Sequence, residues 1–208
     1  EQVVEATALW NDQSGTAIAI ISSPAFNLSG YRSLYLPQML EANHAVKATE
    51  GMLLGYGNQI WWTSHEVGSF GHQIAGLSEP VEGMWSDHID NDGVLDAVAW
   101  TASTAYLLRG RPDGGFALGR EFEALQGQVV GMSIGKLNDG NHTDVAIAVT
   151  TETDSYAVVL EGDGAWDFSA GETLEMNFPI EAMVSTDENG DTLPDITVIG
   201  SGNGWIRR

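Results

Sequence analysis

The sequence contains no cysteine, and only eight of its 208 residues are lysine or arginine. The absence of cysteine excludes disulfides, thiolate metal sites and a cysteine nucleophile. The 29 aspartate and glutamate residues give a formal net charge of −21 at pH 7. A surface of that sign repels phosphate groups, which makes nucleic acid and anionic membranes poor partners. Divalent cations, basic proteins and neutral glycans are better partners for so acidic a chain. No apolar run approaches the roughly 20 residues that a membrane-spanning helix needs.

Sequence motifs of the common catalytic sites are also missing. There is no Gly-x-Ser-x-Gly elbow, no phosphate-binding Walker loop and no His-Glu-x-x-His helix. Pairs of carboxylates are frequent, but in so acidic a chain their frequency carries little information. The sequence therefore nominates no catalytic residue, and we expect a protein that is not an enzyme.

Three segments of the sequence resemble one another at a period of about fifty residues. Each contains a turn rich in Asp, Asn and Gly that closes on an aspartate and leads into an apolar strand. The closing residues are Asp96, Asp144 and Asp195, which lie 48 (144 − 96) and 51 (195 − 144) positions apart. A weaker copy opens the chain and carries an insertion at 22–50, in which a short helix is predicted over 36–48. The repeat predicts units 1–78, 79–126, 127–177 and 178–208, the last without its outer strand.

Short strands separated by turn residues, without a sustained helical period, indicate an all-β fold. Four strands in a repeat of this length indicate β-propeller-type blades, which stack on one another to bury a continuous core. The sequence thus predicts about four repeats of four antiparallel strands, as a partial or open propeller, with 129–134 and 146–149 as buried strands. The low number of repeats and the start at Glu1 without a leader favour a processed chain, an excised fragment, or a subunit that its neighbours complete.

The three turns carry a resemblance to a known family. The motifs are Asp90-Asn-Asp-Gly-Val-Leu-Asp96, Asn138-Asp-Gly-Asn-His-Thr-Asp144 and Asp187-Glu-Asn-Gly-Asp-Thr-Leu-Pro-Asp195, each followed by an apolar strand. They resemble the FG-GAP/VCBS repeats of integrin-α-type propellers over most of residues 80–208, and more weakly over 1–75. The resemblance implies an extracellular propeller with calcium in its loops and a role in adhesion or ligand binding.

The spacing of the loop residues is also that of a calcium site. Calcium prefers oxygen ligands at alternate positions of a tight loop, and positions 1, 3, 5 and 9 are occupied in the last loop by Asp187, Asn189, Asp191 and Asp195. The first loop has His88, an unusual calcium ligand, followed by Asp90, Asp92 and Asp96. The middle loop has Lys136, Asn138, Gly140 and Asp144, and its lysine opposes a cation. The same residue types also form turns without metal, because they hydrogen-bond their own backbone.

Aromatic residues outside the repeat pattern are candidates for partner binding. Most tryptophans fall at strand positions that are apolar in the other units, which predicts core packing. Trp61 and Trp62 are adjacent, so both cannot face the same core. Tyr31, Arg32 and Tyr35 lie in the predicted insertion, in a mixture of residue types enriched at interfaces.

The sequence as a whole indicates a noncatalytic extracellular or periplasmic binding or scaffold module, as a subunit of a larger assembly, with structural calcium in its loops. A protein partner or a neighbouring subunit is the expected ligand. The alternatives are a carbohydrate-binding, lectin-like propeller, which the tryptophan content favours, and an enzyme whose site lies in the central channel or in the 22–50 insertion.

Overall fold

The computed structural model describes residues 4–12, 15–23, 31–35, 44–48, 51–64, 72–122, 126–187, 189–191, 193–200 and 203–207. Every regular element in these ranges is a β-strand. The strands are β1 (Val4–Asp12), β2 (Gly15–Ser23), β3 (Tyr31–Tyr35), β4 (His44–Ala48), β5 (Gly51–Tyr56), β6 (Gln59–Ser64), β7 (His72–Gly76), β8 (Gly83–Asp87), β9 (Asp96–Trp100), β10 (Ala105–Gly110), β11 (Phe116–Phe122), β12 (Gln128–Gly135), β13 (Asp144–Thr150), β14 (Ser155–Gly162), β15 (Phe168–Met176), β16 (Ile180–Thr186), β17 (Asp195–Gly200) and β18 (Asn203–Arg207). None of the described residues forms a helix of the length and hydropathy that crossing a bilayer requires.

The strands form five antiparallel sheets, and within each sheet they follow one another in chain order. Sheet 1 is β1–β3, sheet 2 is β4–β7, sheet 3 is β8–β11, sheet 4 is β12–β15 and sheet 5 is β16–β18. The first strands of successive sheets contact each other, β1 with β4, β4 with β8, β8 with β12 and β12 with β16. The sheets therefore share an inner edge, as the blades of a propeller do, and the predicted all-β fold built from antiparallel blades is confirmed.

The first 78 residues differ from the prediction of one unit with an insertion. In the described residues this stretch contributes two sheets, so that the described part of the chain has five sheets instead of the predicted four or so. Segment 22–50 supplies β3 and β4, and residues 44–48 of the predicted helix form a strand. The repeat was recognised by its Asp-rich loop, and in sheets 1 and 2 the first two strands are joined by only two residues, 13–14 and 49–50. A repeat without that loop carries too little of the motif to be counted.

The core consists of layers between neighbouring sheets. In β13, Val145 and Ile147 face sheet 3, whereas Ala146 and Ala148 face sheet 5, and all four are fully buried. A strand covered on both sides is apolar at every position, because alternate side chains enter different layers. The predictions of buried strands at 129–134 and 146–149 are confirmed, with only Val130 in the first of them partly exposed.

Candidate functional site

The three Asp-rich motifs form the connections between the first and second strands of sheets 3, 4 and 5. We call these connections, residues 88–95, 136–143 and 187–194, the loop row. Neighbouring loops are in contact, because the Thr143 hydroxyl donates a hydrogen bond of 3.0 Å to the carbonyl of His88, and Pro194 packs against Gly135 at the base of the middle loop. The stacking of the sheets thus brings three equivalent loops side by side on one face of the molecule.

The closing aspartate of the loop is a structural acceptor. Asp96 is fully buried, and its Oδ2 accepts the N–H of Ile89 at 2.9 Å while its Oδ1 accepts the N–H of Gly110 at 2.8 Å. One side chain therefore ties the start of the loop to the end of the third strand. The middle loop repeats this arrangement, with Asp144 accepting from Leu137 at 3.1 Å and from Gly162 at 3.0 Å.

A glycine is required where the third strand meets this aspartate. A Cβ atom on Gly110 would collide with the carbonyl oxygen of Leu95, and one on Gly162 with the carbonyl oxygen of Thr143. Both carbonyls belong to the residue immediately before the closing aspartate, so the loop backbone lies directly against the strand at this point. Neither glycine stands out in the sequence, and their role is visible only in the pairing of the strands.

Loop position 3 makes the same turn in all three loops. The side-chain oxygen of this residue accepts the N–H of position 5. Asp90 accepts from Asp92 at 3.1 Å, Asn138 from Gly140 at 2.6 Å and Asn189 from Asp191 at 2.8 Å. The middle loop adopts this turn without a carboxylate at positions 1, 3 or 5. The shared framework of the loops is thus an Asx turn, which needs a side-chain oxygen at position 3 but no carboxylate.

The loop of sheet 3 is closed further by two side chains from outside it. Asp90 Oδ2 accepts hydrogen bonds from Arg109 Nη2 at 2.7 Å and from Trp166 Nε1 at 2.6 Å, and the Asp90 side chain is only 3% exposed. Burial by itself raises the pKa of Asp90, but the hydrogen bonds from the Asp92 N–H, Trp166 and Arg109 outweigh it and hold the pKa below its usual value. The Asp90 carboxylate is therefore ionised and has three donors. His88, at position 1, donates its Nδ1–H to the carbonyl of Val94 at 2.9 Å.

Trp166 reaches Asp90 from the hairpin between β14 and β15 of the next sheet. Its φ of +68° lies in the left-handed region, which is uncommon for a bulky residue. Gly119 of β11 makes room for its ring, since a Cβ there would lie 2.9 Å from Trp166 Cζ3. Arg109 also lies over the ring, 5.8 Å from its centre, and beside it Arg120 pairs with Asp167 at 2.9 Å. The contacts join sheet 3 to sheet 4 at the outer side of the loop.

The closing aspartate of the same loop has an unusual protonation equilibrium. Burial raises the pKa of Asp96 to about 6, and the nearby carboxylates of Asp90 and Asp92 act in the same direction, while the hydrogen bonds from Gly110 and Ile89 oppose it. Asp96 is therefore protonated at a higher pH in the folded chain than in the unfolded one.

The loop of sheet 5 has the predicted oxygen-bearing residues on its surface. Asp187, Asn189 and Asp191 are exposed. Asp187 Oδ1 accepts the N–H groups of Gly190 at 2.7 Å and Asp191 at 3.1 Å, and Asn189 Nδ2 donates to Asp195 at 3.3 Å. Within the described part of the chain, no three Asp, Glu or His side chains are arranged as a metal-binding group. The calcium ligands named from the sequence, in this loop and at Asp90, Asp92 and Asp96, stay a prediction.

A hollow of about 270 Å³ separates the middle loop from the last one. Its lining includes Asn138, Asp139, Asp191, Leu193 and Pro194. Both aspartates are exposed, and the leucine and proline supply an apolar wall. The hollow combines these two carboxylates and the buried Asp195 with a short apolar surface, which is an environment that accommodates a cationic side chain with an aliphatic stem.

The residues predicted to contact a partner lie in sheets 1 and 2. Tyr31, Arg32 and Tyr35 belong to β3 and pair with β2, so they are part of a sheet and not of an inserted loop. Trp61 and Trp62 lie in β6 and are both half-buried. The indole N–H of Trp61 donates to the Gln59 side chain at 2.9 Å, and Trp62 packs against the core between sheets 2 and 3 and against the ring of His72.

A third tryptophan is more exposed than these two. Trp85 of β8 is 57% exposed. The sequence offered little sign of this, because Trp85 alternates with buried residues in the same way as the core tryptophans. The equivalent positions in the next two units, Ser133 and Val184, do not share a residue type from which exposure could have been inferred.

A larger cleft of about 830 Å³ lies on the outer part of sheet 4. It is lined among others by Gln126, Tyr156, Thr173, Glu175 and Asn177. Tyr156 is half-buried and Glu175 and Asn177 are exposed, so the cleft presents an aromatic ring beside amide and carboxylate groups.

The fold is shared with solved structures of very different sequence. A protein from Lactobacillus plantarum superposes with a TM-score of 0.64 at 12% identity, over 95% of this chain and 60% of that one. Sqt1 of Saccharomyces cerevisiae superposes with a TM-score of 0.53 at 10% identity, over 76% of this chain and 45% of that one. The chain thus spans about half to three fifths of the length of these proteins. No family model and no curated protein matches the sequence, and at such identities the similarity shows the fold alone, an array of β-propeller-type blades.

Proposed function

We propose that the chain is a noncatalytic binding or scaffold module, extracellular or periplasmic in location, that receives a protein partner or a neighbouring subunit on its loop row. The observation that carries the proposal is the hollow between Asp139 and Asp191, which lies between two loops that neighbouring sheets hold in contact. Loops on a rigid scaffold commonly carry binding in β-folds. The resemblance of the loop motifs to FG-GAP/VCBS repeats supports the same function and location.

The charge of the loop row defines the chemistry of the partner. Asp92, Asp139, Asp187 and Asp191 are all exposed, in a chain with a net charge of −21. A partner segment rich in lysine or arginine would be attracted to this face, and its binding would weaken as salt screens the charges.

Calcium in the last loop is part of the proposal. Asp187, Asn189 and Asp191 supply oxygen ligands at alternate positions, which suits a hard cation. An ion there would gather three exposed side chains and order the surface that the partner meets.

Binding of a lysine-rich model peptide, measured by fluorescence anisotropy at several salt concentrations, tests the location of the site. Asp139→Asn combined with Asp191→Asn removes two charges from the hollow and should weaken binding about tenfold, about 0.7 kcal/mol for each charge. The matched control, Asp113→Asn with Glu121→Gln, removes two exposed charges from sheet 3. An equal loss in both double variants would mean that net charge alone attracts the peptide, and would contradict a site in the loop row.

The cleft beside Tyr156 favours a second candidate function, the binding of neutral glycans. Aromatic rings stack on sugar faces, while amide and carboxylate groups hydrogen-bond the hydroxyls. Glycan-array binding that is lost in Tyr156→Ala and retained in the Asp139/Asp191 double variant would support this function over the first.

A further inference from the structure

The carboxylate of Asp90 is already occupied by positive and hydrogen-bonding groups of the chain itself. Arg109 Nη2 lies 2.7 Å and Trp166 Nε1 lies 2.6 Å from the same oxygen, Asp90 Oδ2, while Oδ1 accepts the N–H of Asp92 at 3.1 Å. Asp90 stands at loop position 3, from which a calcium ligand would be expected. Both oxygens of Asp90 already accept hydrogen bonds, and the side chain is only 3% exposed. A metal ion could therefore bind Asp90 only by displacing the guanidinium of Arg109.

We propose that Arg109 and Trp166 replace a cation in the loop of sheet 3, so that this loop is locked onto sheet 4 by side chains and does not bind calcium. Arg109 supplies the positive charge that an ion would bring. Trp166 supplies the connection to the neighbouring sheet. The first loop of the row therefore keeps its shape without metal.

The surroundings of Trp166 show that this contact is built into both sheets. Trp166 holds a φ of +68°, a conformation that is unfavourable for a non-glycine residue unless its surroundings compensate. Gly119 leaves the space that the ring fills, and Arg109 covers the ring at 5.8 Å. The backbone of Trp166, the space at Gly119 and the hydrogen bond to Asp90 together fix the position of the Trp166 ring between sheets 3 and 4.

The loop of sheet 4 has neither the acid nor the arginine at the positions of Asp90 and Arg109. In sheet 4, Asn138 stands in place of Asp90, and Glu161 precedes Gly162 as Arg109 precedes Gly110. A neutral residue at position 3 requires no cationic partner, and an acid, Glu161, stands at the place of Arg109. In sheet 5 position 3 is Asn189, and Arg208, at the position of Arg109, lies outside the described residues.

The test compares calcium responses of whole-chain variants by thermal unfolding in chelator and in 1 mM calcium, and by calorimetric titration with calcium alone. Arg109→Gln should melt at a lower temperature than the wild type in chelator. Calcium should then raise its melting temperature by about 3 °C more than it raises that of the wild type, and the number of bound ions should increase by one. Arg111→Gln, which removes the same charge two residues further on from an exposed side chain, should match the wild type in both respects.

A second variant keeps the test decisive if Arg109→Gln does not fold. Asp90→Asn should leave the calcium response of the chain unchanged, because Asp90 binds no ion in the wild type. A calcium response reduced by Asp90→Asn would overturn the proposal, and so would a folded Arg109→Gln that gains no calcium response. Neither result depends on whether the Asp187 loop binds calcium or whether the loop row binds a partner, since each variant is compared with the response of its own parent chain.

Discussion

The loops of sheets 3 and 5 begin from the same turn and are completed in different ways. In both, the side chain at position 3 accepts the N–H of position 5, and the side chain at position 5 accepts the N–H two residues later, at 2.8 Å in each loop. The loop of sheet 3 then turns its acid inward, where Asp90 meets Arg109 and Trp166. The loop of sheet 5 has Asn189 at that position and leaves Asp187 and Asp191 exposed.

This difference shows that the acidic residues of such loops serve two separate purposes. The closing aspartate and the Asx turn are present in the loop of sheet 4, which has no carboxylate at positions 1, 3 or 5. The other carboxylates differ between the loops: one of them joins two sheets, while others lie on the surface. A motif that looks repeated in the sequence thus contains a part that is the same in the loops and a part that differs between them.

The largest effect is expected from the constant part. Asp144→Ala would remove the acceptor of the buried N–H group of Leu137 and of the partly buried N–H group of Gly162. An unsatisfied buried group costs about 1–3 kcal/mol, so the free energy of unfolding should fall by about 4 kcal/mol in urea denaturation. Asp139→Ala, five residues earlier and exposed, should change it by less than about 0.5 kcal/mol. Similar losses in both variants would mean that the closing aspartate has no special role.

A pH dependence should distinguish the loop of sheet 3. The pKa of Asp96 is about 6 in the folded chain and close to 3.9 in an unfolded one. Between these values the folded chain binds one proton more, so its stability falls as the pH rises from 4 to 6, by at most about 3 kcal/mol. Chemical denaturation in chelator at pH 4.5, 5.5 and 6.5 measures the slope, and Asp96→Asn should remove this contribution. A slope in Asp96→Asn as steep as in the wild type would assign the pH dependence to other groups.

The contacts of Arg109 and Trp166 with Asp90, which join sheets 3 and 4, should contribute less to the free energy of unfolding than Asp144 or Asp96 does. Trp166→Ala removes the ring over Gly119 and one donor to Asp90, but it also relieves part of the strain of a bulky residue at positive φ. We expect a net loss of about 2 kcal/mol in the free energy of unfolding. Trp85→Ala, at a tryptophan that is 57% exposed, is the matched control and should cost about 0.5 kcal/mol or less. Equal losses in the two variants would show that the effect comes from removing any tryptophan, and not from the contact of Trp166 with Asp90.

The sequence predicted the parts of the molecule that repeat. The turn motif and the apolar run after it located β9, β13 and β17, because each of these strands begins at a closing aspartate. It missed the division of residues 1–78 into sheets 1 and 2, because in both sheets a connection of two residues replaces the motif between the first and second strands. It also missed the Asp90 contacts, whose partners lie 19 and 76 residues away. Glu161 and Arg208 stand at the position of Arg109 in the next two units of the sequence, so no periodic signal marks Arg109 as a partner of Asp90, and only the stacking of the sheets brings Trp166 to the same carboxylate.

The two acidic loops should differ in their dependence on calcium, and paired melting curves of Asp90→Asn and Asp191→Asn test this difference most directly. If only the loop of sheet 5 binds calcium, free calcium at ten times the dissociation constant stabilises the wild type by about 1.4 kcal/mol, from RT ln(1 + [L]/Kd). We expect this shift in melting temperature to persist in Asp90→Asn and to disappear in Asp191→Asn. A shift that disappears in Asp90→Asn and persists in Asp191→Asn would contradict it.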